Sequence, residues 1–131
     1  MRKIIIAPKE YYHIFNRGNN KQLIFSNDSD RIRFLTLMLL FQSPLNIKNI
    51  KRLIKPPMNN PLVLNRVLHL VDEETINEVI STRYVELICF TLMPNHFHLM
   101  LRETKEGGIT KYMHRLQVAY TKYFNTKYEK V

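Results

Sequence analysis

Residues 84–102, Tyr-Val-Glu-Leu-Ile-Cys-Phe-Thr-Leu-Met-Pro-Asn-His-Phe-His-Leu-Met-Leu-Arg, constrain the fold of this chain more than any other stretch. Tyr84–Leu92 is dominated by β-branched, aromatic and aliphatic residues, a composition that fits a pleated strand. Met93-Pro94-Asn95 then supplies turn chemistry, with proline fixing φ and asparagine tolerating a left-handed backbone. A second strand follows from about His96 to Arg102, so the stretch reads as a hairpin. Strand side chains alternate faces, which sends His96 and His98 to one side and Phe97 and Leu99 to the other. Two imidazoles on one face of one strand make half of a metal site at little conformational cost. The competing reading is a pair of solvated histidines on an exposed face.

Charge bounds the partners such a face can meet. Lys and Arg outnumber Asp and Glu by 20 to 11, a formal charge of +9. That excess favours polyanions and steers association with them, without choosing between DNA and RNA. A chain of 131 residues buries a single core without staples, so one domain is expected over 1–131. One cysteine, Cys89, excludes an internal disulfide and a thiolate zinc cluster, and its apolar strand predicts an inert core residue. No apolar run approaches a membrane span. Met1-Arg2-Lys3-Ile4-Ile5-Ile6 stops at Pro8, too soon for a signal peptide, so a cytoplasmic location is expected.

Residues 11–17 read as a strand ending at Gly18, with Tyr11, His13 and Phe15 on one face and Tyr12, Ile14 and Asn16 on the other. Arg17-Gly18-Asn19-Asn20-Lys21 is a polar turn whose amides and flanking cations suit a phosphate or a base, or are ordinary solvated charges. Asn27, Asp28 or Ser29 caps a helix whose stripe is Ile32, Leu35, Leu39 and Leu40, widened by Phe34, Met38 and Phe41. Residues 43–83 read as a Pro-broken insertion. Lys48, Lys51, Arg52, Lys55 and Arg66 fall there without an acidic residue between Ser43 and Val71, fitting either a phosphate grip or a solvated segment. Asp72-Glu73-Glu74-Thr75 opens a short helix feeding Ile76, Val79 and Ile80, and His69 reads as packed. A last helix, about Ile109 to Phe124, carries Ile109, Met113, Leu116, Tyr120 and Phe124 on its apolar stripe, with Lys111, Arg115 and Lys122 off it. The order β-α-(insertion)-β-β-α is most of an α/β (α+β) sandwich: a ferredoxin-like or RRM-like antiparallel sheet with helices on one face, lacking its last strand.

Three of these stretches together resemble one family. Leu92-Met93-Pro94-Asn95-His96-Phe97-His98-Leu99-Met100 is similar to the His-hydrophobic-His (HUH) signature of the IS200-like tyrosine transposases, closest to the REP-associated branch. Tyr12-His13-Ile14-Phe15-Asn16-Arg17-Gly18 agrees near the start. Met113-His114-Arg115-Leu116 through Tyr120-Thr121-Lys122-Tyr123-Phe124-Asn125 agrees near the end. The resemblance implies the same fold and a domain that binds hairpin-flanked single-stranded DNA. It further implies a divalent ion, Mg²⁺ or Mn²⁺, on His96 and His98, and cleavage by a tyrosine that leaves a 5′-phosphotyrosine. DNA contacts would fall on Arg17, Asn19, Lys21, Lys111, Arg115 and Lys122.

The family's nucleophile lies in a Tyr-x-x-x-Asn or Tyr-x-x-x-Gln helix beyond a further strand, and this chain reads as ending before both. Tyr120 and Tyr123 are then candidates on residue type alone, Tyr120 reading as packed. A missing strand would leave an unpaired sheet edge, and a homodimer is expected. The alternatives are a non-catalytic nucleic-acid-binding module on the same fold and an RNA-binding protein stacking bases on Tyr12 and Phe15.

Overall fold

A computed structural model describes residue 6 and residues 8–44 and 73–129. The basic block from Lys48 to Arg66, with His69, lies outside the described residues. Among the described residues six main elements follow one another: β1 (Tyr11–Arg17), α1 (Asp28–Leu40), α2 (Glu73–Thr82), β2 (Val85–Met93), β3 (His96–Glu103) and α3 (Gly108–Lys127). The three strands form one antiparallel sheet in the order β1-β3-β2, so the histidine strand is central. This is the expected α/β sandwich with helices on one face. Among the described residues no helix is long and apolar enough to cross a membrane.

Alternation along β3 divides the molecule. Phe97, Leu99 and Leu101 are buried, and the Phe97 ring lies 4.9 Å from that of Phe34 on α1. Helix α3 completes the core with Ile109, Tyr112, Met113, Leu116 and Tyr120. Tyr112, off the expected stripe, is fully buried and donates its hydroxyl to the Met38 carbonyl at 2.8 Å, which joins α3 to α1. The α1 stripe is also wider than expected, since Thr36 and Leu37 are buried. The Thr36 hydroxyl is satisfied within its own helix by the Ile32 carbonyl at 2.8 Å. Asn27 is the N-cap of α1, its Oδ1 accepting from the Asp30 amide at 3.0 Å.

Two expectations for the hairpin are corrected. Cys89 is exposed rather than packed. The pairing of β2 with β3 slips between Leu87 and Cys89, so Ile88 is an extra residue and Cys89 falls opposite the exposed Met100. A bulge of this kind turns the following side chains to the other face. Asn95 is absent from the residues with positive φ. Its side chain instead takes a local role, Oδ1 lying 2.7 Å from His96 Nδ1.

Helix α3 begins against backbone. A Cβ added at Gly108 would stand 2.2 Å from the Tyr84 carbonyl oxygen. That oxygen also accepts the amides of Thr104 and Lys105, so it is not free to withdraw. The Gly107 N-cap offers no side-chain acceptor, and the buried Glu103 carboxylate replaces it, taking the Ile109 amide at 2.9 Å. Gly108→Ala is expected to lower stability by about 2 kcal/mol, the usual scale for a forced backbone shift. Urea denaturation measures it, and an unchanged midpoint would show that the helix start moves freely.

Candidate metal and nucleic-acid site

The face of the sheet away from the helices is built by register. His98 lies opposite Phe15 on β1 and Thr91 on β2, and His96 lies opposite Arg17 and Met93. His13 and Met100 form the next pair along. Strand alternation therefore gathers His13, Phe15, Arg17, His96 and His98 on one surface. Among the described residues no helix lies over them.

Each histidine of β3 is held at Nδ1. For His96 the holder is Asn95 Oδ1, an acceptor, which assigns the ring proton to Nδ1 and leaves the Nε2 lone pair unused. For His98 the holder is His13, whose Nε2 lies 2.9 Å from His98 Nδ1. The His96 and His98 rings stand 5.2 Å apart, nearly perpendicular at 84°. Partial desolvation, then electrostatic interaction with His13, His96 and Arg17, holds His98 below the ordinary imidazole pKa. A neutral imidazole is the form that ligates. Among the described residues no group of three or more His, Cys, Asp or Glu side chains is arranged to hold a metal ion. The pair is therefore a partial donor set.

The loop after β1 locks this end of the sheet. Gly18 donates its amide to the Asn95 carbonyl at 2.8 Å, and Ile24 and Phe25 donate theirs to the Pro94 carbonyl at 2.8 and 3.1 Å. Between those contacts lies a short 3-10 turn, Asn19–Lys21, in which Asn20 and Lys21 have φ of 55° and 58°. The hairpin tip that carries His96 is thus tied to the loop that carries Lys21.

With the geometry in hand, comparison with known families adds one finding. Residues 49–131, more than half of the chain, match the family model described as Transposase IS200 like. The chain belongs to the IS200-like transposase family. Its function is therefore of the transposase type. No curated protein and no solved structure matches it. The matched span holds the histidine strand and α3, while His13, Phe15 and Arg17 lie before it.

Tyrosines carry special interest in an IS200-like transposase. Tyr120 lies on the helix side of the sheet, its ring 5.0 Å from that of Phe34. Its hydroxyl donates to the Ile24 carbonyl at 2.6 Å. Burial, then the nearby Asp30, pushes the Tyr120 phenol well above its ordinary pKa. The residue also lines a cleft of about 260 Å³ shared with Arg17, Gly18, Phe97 and Gln117. Tyr123 donates its hydroxyl to Asp30 Oδ1 at 2.8 Å, and its pKa is raised by burial and then by that bond. Both hydroxyls thus lie on the opposite face of the sheet from His96 and His98 and are engaged by backbone or carboxylate.

The basic residues singled out in the sequence divide the same way. Arg17 and Lys21 are exposed beside the histidine face, and the backbone of Asn19 opens the turn between them. Lys111 and Lys122 are exposed on α3. Arg115 is half-buried, donating to the Ser43 carbonyl at 2.7 Å and the Tyr84 hydroxyl at 3.0 Å, with its guanidinium 4.3 Å from the Phe41 ring centre. That arrangement braces α3 against the end of α1. His13 and Asp30 were not singled out by the sequence reading. For His13 a signal existed, since it shares a strand face with Phe15; the register that carries it to His98 is a tertiary fact.

Proposed function

We propose that this chain is the metal-dependent, single-stranded-DNA-binding domain of an IS200-like transposase of the REP-associated branch, acting in the cytoplasm. His96 and His98 would be the protein ligands of a divalent ion. One observation carries the reading: both imidazoles are anchored through Nδ1, by Asn95 and His13, on the sheet face opposite the described helices of a basic chain. Ligating histidines characteristically use the second ring nitrogen in this way, which fixes the ring and leaves Nε2 to the ion. The donor set fits Mn²⁺ better than Mg²⁺, because imidazole is a softer ligand than oxygen, and the remaining positions fall to water or phosphate oxygens. When bound, the ion supplies Lewis-acid polarisation of a phosphodiester. The chain's own residues hold it and position the strand: Arg17 and Lys21 stand beside the pair as phosphate contacts. The tautomer suited to this role puts the His98 proton on Nδ1, donating to His13 Nε2.

His13 is then a positioning residue. His13→Ala is expected to weaken Mn²⁺ binding by about tenfold, the lower end for loss of an outer partner. His13→Gln, which keeps an acceptor, is expected to recover part of it. Calorimetric titration of Mn²⁺ reads both, and equal affinity for wild type and His13→Ala would remove the residue from the site.

A second reading, a nucleic-acid-binding module that does not cut, is favoured by one observation: the Tyr120 and Tyr123 hydroxyls donate to Ile24 and Asp30. The experiment for both readings is a labelled hairpin oligonucleotide with a single-stranded flank, incubated with Mn²⁺ and resolved on native and denaturing gels. Metal-stimulated binding to the flank supports the proposal, and binding indifferent to Mn²⁺ favours the second reading. A covalent adduct mapping to Tyr120 or Tyr123 would show that α3 rearranges to free its phenols. A homodimer belongs to the same proposal, β1 and β2 being the edge strands among the described residues, and light scattering on the purified chain tests it.

A further inference from the structure

We infer that Phe15 is a stacking platform for an unpaired nucleobase, set so that the sugar-phosphate beside that base runs over Arg17 and the histidine pair. The inference rests on the proposed reading and gives it a register on the sheet. Phe15 is 63% exposed although it lies at the middle of a strand whose other face feeds the core through Tyr12 and Ile14. Such a large apolar ring is left mostly exposed. Its orientation is nevertheless fixed. The Phe15 ring lies 5.9 Å and 29° from that of His13 and 5.7 Å and 24° from that of His98, and His13 and His98, joined edge to edge by their ring-nitrogen hydrogen bond, lie 5.1 Å and 15° apart. Three near-parallel rings thus present one broad π surface with Phe15 as its most apolar member. Bases stack on such surfaces without regard to sequence, since every base has a π face.

Charge selects the occupant. Arg17 follows Phe15 on the same face, about 7 Å along the strand, and lies in register with His96. Arg102, at the other end of the face, places its guanidinium 5.8 Å from the ring centre of Tyr11, itself 60% exposed. Glu86, the acidic residue that register places opposite Arg102, is bonded to it at 3.2 Å. Exposed aromatics between arginines, on a chain of charge +9, match a single strand that offers both bases and phosphates. A duplex hides its base faces and would engage only the cations.

The chain contains no tryptophan, so Phe15→Trp installs a lone indole reporter at the platform. Binding of a labelled single-stranded oligonucleotide is followed by anisotropy in EDTA, which removes any metal contribution, with thermal melts confirming that each variant folds. Phe15→Ala is expected to weaken binding about tenfold with an unchanged salt slope, and Phe15→Trp to bind as wild type with its fluorescence quenched. Arg17→Ala is expected to weaken binding and lower the salt slope by about one. Wild-type binding that survives Phe15→Ala, or an indole that stays bright at saturation, overturns the inference while leaving the functional reading intact. A wild type that does not bind single strands overturns both. Dissociation of a dimer by Phe15→Ala would assign the face to a second copy and overturn the inference.

Discussion

Replacing His98 by alanine is expected to reduce Mn²⁺ affinity by about 100-fold or more, beyond the range for loss of an outer partner, because half of the proposed protein donor set disappears. His96→Ala is expected to do the same. The substitution is clean in this fold. β3 is the central strand, paired along its length to both neighbours, so its backbone does not depend on a side chain on the open face. His98 is also bonded to His13 and lies beside Phe15, so any structural loss would be felt first by those two rings and not by the core behind Phe97 and Leu99. Electron paramagnetic resonance of free Mn²⁺ reads the affinity directly, and Met100→Ala serves as a control on the same face of the same strand. Two outcomes are informative. Loss in both histidine variants with DNA binding retained in EDTA would separate the ion from the strand it acts on. Wild-type affinity in both variants would place any bound ion elsewhere and leave two solvated imidazoles.

Much of this site was legible in the amino-acid order, and the remainder was not for identifiable reasons. Alternation alone sends His96 and His98 to one face, because a period of two needs no knowledge of partners. Pro94-Asn95 marks the turn equally locally. The placement of Cys89 failed because a single extra residue at Ile88 reverses the alternation, and nothing in an all-apolar run marks a bulge. Alternation likewise places Tyr11, His13 and Phe15 on one strand face, but their meeting with β3, and that of Arg17, depends on a register between segments some eighty residues apart. Tyr12 and Phe15 are both stacking candidates by residue type, yet residues three apart on a strand point to opposite faces, and Tyr12 packs against the core while Phe15 is exposed. The α3 cations illustrate the opposite case. Lying off an apolar stripe identified them as solvent-facing, but Arg115 is spent on Ser43 and Tyr84, a contact that spacing along one helix cannot reveal.

Removing the carboxylate of Asp30 is expected to be the largest change in stability available from one side chain outside the apolar core. Asp30 is fully buried at the start of α1, yet four donors converge on it. Oδ1 accepts from Tyr123 and from Lys127 Nζ, each at 2.8 Å, and Oδ2 accepts from the Ser26 amide at 2.9 Å and from Tyr128 at 2.6 Å. One residue thereby ties the segment that enters α1 to the end of α3. Burial alone would raise its pKa, but the bonds from Lys127, Tyr128, Ser26 and Tyr123 outweigh burial and hold the carboxyl below the ordinary carboxylate value. Asp30→Ala strands these donors and is expected to lower stability by about 3 kcal/mol, lowering the melting temperature by roughly 10 °C. Asp30→Asn, which keeps the shape and part of the bonding, is expected to fall between. The sign of the pH dependence follows from the depressed folded-state pKa. The charged form's contribution is complete above the unfolded value of about 4 and fades as pH drops through the lower folded value. Wild type and Asp30→Asn should therefore differ by a constant amount from pH 5 to 7, and the difference should shrink as pH falls below about 4. A difference that stays constant as pH falls below about 4 would mean that shape, not charge, fastens the helices. Mn²⁺ affinity measured on the folded Asp30→Asn protein should be unchanged, because the carboxylate and the histidines lie on opposite faces of the sheet. A drop in that affinity would mean that the end of α3 and the histidine face are coupled through the loop that joins Gly18 to Asn95.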